Sequence, residues 1–133
     1  MGSFARFRRL SVFVMSAFYV VAGVAHFLWP RGFERAVPPS LPRPRLLVYV
    51  SGVAEVVLGL GVLVRRTRRV SAWGLIALLV AVFPANVHMA RSDVFRDAVP
   101  ERFSWVVDVV AWARLPLQGV LVLWAWWCAR VDA

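Results

Sequence analysis

Two apolar segments, Leu46 to Val64 and Val70 to Met89, are joined by Arg65-Arg66-Thr67-Arg68-Arg69. Each is close to the ~20 residues a helix needs to cross a ~30 Å hydrocarbon layer. A turn this short, with four arginines, can neither enter lipid nor house a domain. The two segments therefore form a transmembrane hairpin with a positive turn.

The rest of the chain has the same character. Of 133 residues, 61% are hydrophobic, and the mean hydropathy is +0.70. That is more apolar surface than a soluble core of one domain hides, and lipid must be its solvent. The formal charge of +9 comes from sixteen arginines and no lysine. Almost all of them flank the apolar runs, where membrane phosphates and the positive-inside rule account for them, so nucleic acid is not an expected partner. All-arginine usage hints at a GC-rich bacterial genome. The single cysteine, Cys128, excludes an intramolecular disulfide and a CxxC relay.

Arg6, Arg8 and Arg9 precede an apolar run from Leu10 to Trp29. This run exceeds the 7–15 residues of a signal-peptide core and is read as a retained first helix. Pro30 to Arg45 is a loop with five prolines, stiff around Pro38-Pro39-Ser40-Leu41-Pro42, with a short helix from Arg31 to Ala36 in the headgroup region. Arg91 to Arg102 is polar, with Asp93, Asp97 and Glu101 balancing Arg91, Arg96 and Arg102. The last apolar stretch, Phe103 to Cys128, is long enough to span only if it carries Asp108, Arg114 and Gln118 through the membrane.

The expected fold is all-α: one transmembrane domain over residues 1–133, a four-helix bundle with helices at about 10–29, 46–64, 70–89 and 103–128. The carboxylate-free 65–69 turn puts both termini in the cytoplasm. Trp29 and Trp105 would then mark the outer interface, and Trp73, Trp124, Trp126 and Trp127 the inner one.

Each helix carries a small or polar stripe at helical spacing. These are Ser16, Tyr19, Gly23 and His26; Ser51, Gly52, Glu55 and Gly59; Gly74, Ala77, Ala81, Pro84 and His88; and Asp108, Ala111, Arg114, Gln118 and Ala125. Packing alone explains the glycines and alanines. It does not explain the charges. Glu55 and Arg114 both lie near the midplane, where a charge costs roughly 2.5–3.5 kcal/mol even on the lenient insertion scale. Arginine cannot escape by deprotonating. Equal depth and opposite charge predict a Glu55–Arg114 ion pair facing the interior. As a clamp, such a pair needs no further function.

His26, Asn86, His88 and Asp108 fall within one or two turns of the outer surface and are expected to form a polar pocket above that pair. Tyr19, Ser51 and Gln118 add to its lining. Asn86 and His88 face apart in a regular helix, and a kink at Pro84 would bring both inward. The pocket suits hydrogen bonding to quinone carbonyls or proton shuttling. No HxxxH or HExxH spacing points to a metal.

Several of these residues carry a resemblance. Ala22-Gly23-Val24-Ala25-His26-Phe27 is followed by Pro30 and by Pro38-Pro39-Ser40-Leu41-Pro42. Then come Tyr49-Val50-Ser51-Gly52-Val53-Ala54-Glu55, Leu58-Gly59-Leu60-Gly61 and Arg68-Arg69. Ala72-Trp73-Gly74-Leu75-Ile76 and Phe83-Pro84-Ala85-Asn86-Val87-His88-Met89 complete the order. In this order they resemble the DoxX family of small bacterial four-helix membrane proteins, from Ala22 to about Arg91. The fourth helix carries none of the matching motifs. The resemblance implies a multi-pass protein of the bacterial cytoplasmic membrane and, in some members, a place beside redox enzymes. One branch is a subunit of an archaeal thiosulfate:quinone oxidoreductase, and distant animal relatives assist receptor assembly.

The leading expectation is an accessory, non-catalytic membrane subunit whose outer-half pocket binds a lipid-like ligand or a partner helix. The chain has no haem, flavin or metal motif and no self-contained catalytic motif. The rival is a component of a quinone-linked oxidoreductase with a redox partner protein, in which Glu55 and a histidine carry protons. A third class is a small proton-coupled transporter using Glu55.

Overall fold

The computed structural model describes residues 2–91 and 99–130, and all its regular structure is helical. The elements are α1 (Gly2–Leu28), α2 (Pro30–Ala36), α3 (Pro44–Leu63), α4 (Arg68–Arg91), a 3-10 turn (Glu101–Phe103) and α5 (Ser104–Ala129). Four of them, all but α2 and the 3-10 turn, are long and apolar enough to cross a membrane. The protein is a multi-pass helical membrane protein. Asp93, Arg96 and Asp97 of the expected charge-balanced loop lie outside the described residues.

Helix α1 begins well before the apolar run expected at Leu10, because Arg6, Arg8 and Arg9 are good helix formers and continue the same backbone. Helix α3 starts on Pro44, a first-turn position where the missing N–H costs nothing. The residue before it, Arg43, has φ 52°, the left-handed region. Helix α4 runs through Pro84 and α5 through Pro116 without a break in either assignment.

Helices α1 and α3 approach closely because glycines face each other. A methyl group on Gly23 would lie 2.6 Å from the Gly52 carbonyl oxygen, and one on Gly52 would lie 2.8 Å from His26 Cβ. Further along, Gly59 rests against Tyr19 and Ser16. Small residues let backbones meet, which is how helices associate where lipid removes the hydrophobic drive. The stripes expected on these two helices are indeed buried at Ser16, Tyr19, Gly23, His26, Gly52 and Gly59.

The stripe expected on α4 is rotated. Its buried face is Ser71, Ala72, Leu75, Leu79, Asn86 and Met89, while Ala77, Ala81 and Pro84 are exposed. Larger side chains at the same 3–4 spacing take the packed face, and the small ones line open space.

All four spanning helices contribute to one core: Val12, Met15 and Tyr19 from α1, Val62 from α3, Ala72 and Leu75 from α4, and Ala125, Cys128 and Ala129 from α5. This core brings the start of α1 to the end of α5, where Trp124 Nε1 donates to Ser11 Oγ at 2.7 Å. The same end holds the arginine turn. Arg68 is buried there and donates from Nε to the Val62 carbonyl (2.8 Å) and from Nη2 to the Leu63 carbonyl (3.2 Å), satisfying the open end of α3. Packing is tight at this end and opens toward the other. Phe13, Val21, Val57, Val80, Val109 and Leu123 are more than half exposed and form part of the lipid-facing surface.

Candidate functional site

At the end opposite the core, the helices enclose a cavity of about 430 Å³. Its space comes from small side chains on α3 and α4: Ser51, Ala54, Ala81 and Ala85 line it. Helix α2 covers one side. Phe33 on α2 stacks on the His26 ring with centroids 3.9 Å apart and planes 20° apart, and Trp29 meets Phe33 edge-on. Arg45 Nε donates to Glu34 at 2.5 Å, tying α2 to the start of α3.

Four polar side chains besides Ser51 reach the cavity wall: His26, Glu55, Asn86 and Arg114. His26 Nδ1 lies 2.7 Å from the Ala22 carbonyl one turn earlier in α1, which fits a protonated Nδ1. The same nitrogen is 3.2 Å from Glu55 Oε2. Because its proton is directed at Ala22, this second contact is electrostatic, and Glu55 Oε2 has no aligned hydrogen bond among the described residues.

The expected Glu55–Arg114 ion pair is not made. Glu55 sits against His26, and Arg114 Nη1 lies 3.9 Å from the Met89 sulfur, so Glu55 and Arg114 interact electrostatically without a salt bridge. Arg114 is solvent-accessible and borders the cavity. Equal depth did not bring the two together because α1 and α3 are the closely packed pair, so the nearest partner for Glu55 comes from α1. Both side chains nevertheless border the same cavity.

The other expected lining residues separate into groups. Asn86 and Gln118 are buried against each other, with Asn86 Nδ2 donating to Gln118 Oε1 and Gln118 Nε2 donating to the Leu79 carbonyl at 2.7 Å. They clamp α4 to α5, and Gln118 does not line the cavity. His88 and Asp108 are half-buried and do not line it either. Helix α4 continues through Pro84, so Asn86 and His88 diverge as a spacing of two dictates. Tyr19 belongs to the core, its hydroxyl buried without a hydrogen-bond partner among the described residues. Among those residues no three His, Cys, Asp or Glu side chains converge on a point where a metal would sit.

Trp29, Phe33 and Met89 were not among the expected site residues, yet all three border the cavity. The mixed apolar and charged pattern Gly32-Phe33-Glu34-Arg35 signalled an interfacial helix, but not that it folds back over His26.

Four helices long and apolar enough to span, with a mostly apolar cavity at one end, place the protein among multi-pass helical membrane proteins. The chain belongs to the family described as Domain of unknown function (DUF8561), which it matches over residues 15–129. No curated protein matches the chain. No solved structure matches it either.

Proposed function

We propose that the protein is a non-catalytic, accessory membrane subunit whose cavity holds one lipid-like amphiphile. The observation that carries this reading is the wall itself: a mostly apolar cavity of about 430 Å³ with His26, Glu55, Asn86 and Arg114 converging on it. Small-molecule sites combine an apolar lining with a few placed polar groups in volumes of ~300–1,000 Å³. The resemblance to the DoxX family supports the accessory role and a bacterial cytoplasmic membrane. The carboxylate-free arginine turn supports an orientation with both termini in the cytoplasm, which places the cavity in the outer half.

Native mass spectrometry of protein gently extracted from its own membrane tests the proposal. The expected result is a bound amphiphile whose occupancy falls in His26→Ala and Ser51→Trp. A bare chain from a preparation that retains other lipids would overturn it.

A second reading, a quinone-linked oxidoreductase component, draws on the His26–Glu55 contact, since a histidine beside a carboxylate handles protons next to a carbonyl ligand. A bound mass equal to a quinone, lost in Glu55→Gln, would favour it over the lipid reading.

A further inference from the structure

We propose that Arg114 recognises the carboxylate of a single-chain fatty acid lodged in the cavity, a proposal that rests on the ligand-binding reading above. Arg114 is the eleventh residue of α5, hence about 15 Å along the helix from Ser104 at 1.5 Å per residue. A guanidinium at that depth keeps its charge. Among the described residues no oxygen accepts a hydrogen bond from it, and its one hydrogen-bond contact is with the Met89 sulfur at 3.9 Å. The guanidinium, which borders the cavity, therefore keeps N–H donors for a ligand.

The charged and titratable groups facing this space are His26 from α1, Glu55 from α3 and Arg114 from α5. Glu55 Oε2 lies 3.2 Å from His26 Nδ1, and neither a hydrogen bond nor a salt bridge joins Glu55 to Arg114 among the described residues. Glu55 is within electrostatic reach of Arg114 but fills none of its hydrogen bonds, and a ligand anion at the guanidinium would complete them. A carboxylate matches the planar fork with two parallel hydrogen bonds. The rest of the lining is largely apolar, and Leu41, Leu47 and Val50 on it are exposed, which suits an acyl chain. A single chain suits 430 Å³, which is near the small end of ligand sites.

The test is a titration of the purified full chain, in a neutral detergent, with oleate, oleyl alcohol and oleyl phosphate, read by native mass spectrometry. Oleate is expected to bind the unaltered protein roughly tenfold or more tightly than the alcohol, the gain of charge-assisted hydrogen bonds. Arg114→Gln should remove that preference while leaving alcohol binding in place, and Arg114→Lys should keep part of it. The comparison of the three probes on the unaltered chain stands even if a variant fails to fold. Equal binding of oleate and alcohol, or tightest binding of the phosphate, would overturn the carboxylate while leaving the cavity a ligand site. Binding of none of the three would overturn the ligand-binding reading itself.

Discussion

Glu55 Oε2 on α3 lies 3.2 Å from His26 Nδ1 on α1, while Arg114 on α5 stands across the same cavity without an oxygen partner among the described residues. The two charges nearest the middle of the membrane are thus handled by different devices, one by a neighbouring helix and the other by the open site.

This separation predicts how the residues couple. In thermal unfolding of detergent-solubilised protein, Glu55→Gln and His26→Phe should be non-additive by ~0.5–3 kcal/mol, as contacting residues are. Glu55→Gln and Arg114→Gln, which share the cavity without a hydrogen bond between them, should couple more weakly than that pair. A strong coupling of Glu55 with Arg114 instead would mean that the direct ion pair forms after all.

The Asn86–Gln118 clamp makes a second prediction. Gln118→Leu leaves the Asn86 amide buried without its acceptor, at an expected cost of ~1–3 kcal/mol. Asn86→Leu combined with Gln118→Leu should cost less than the sum of the single changes, because both buried polar groups are then gone. Unfolding temperatures of the three variants decide this.

Close helix approach predicts a contrast among glycines. Gly52→Ala puts a methyl against His26 Cβ and 2.9 Å from the Gly23 carbonyl oxygen, and should destabilise by ~1–3 kcal/mol. Gly119→Ala meets nothing within 4 Å and should leave the unfolding temperature unchanged or raised. Equal effects would argue against the α1–α3 contact.

The arginine turn is not uniform. Arg68 is buried on the carbonyls that end α3, whereas Arg66 is exposed. Arg68→Ala should cost ~1–3 kcal/mol by leaving those carbonyls short of donors, and Arg66→Ala should be neutral in the same unfolding measurement.

Much of this fold was legible in the sequence because lipid imposes length and polarity on each span. The hairpin around Arg65–Arg69, the interfacial helix near Arg31–Ala36 and the glycine-lined meeting of the first two spanning helices all follow from such local rules. His26, Ser51, Glu55 and Asn86 line one cavity, because polar side chains avoid lipid and turn inward. What the sequence could not carry was rotation and pairing between helices. Depth alone aligned Glu55 with Arg114, but the glycine contact selects His26. Pro84 suggested a kink that would gather His88, yet α4 continues as a helix and His88 turns away. Phe33 covers the site through the path of α2, which depends on how the proline-rich segment returns to Pro44.

The most direct test of the account is native mass spectrometry of the unaltered chain beside Ala54→Phe, which fills the cavity while His26, Glu55 and Arg114 stay unchanged in sequence. The account predicts a folded variant that has lost the amphiphile retained by the unaltered chain. Undiminished occupancy in a folded Ala54→Phe would contradict it, because the bound molecule would then lie elsewhere.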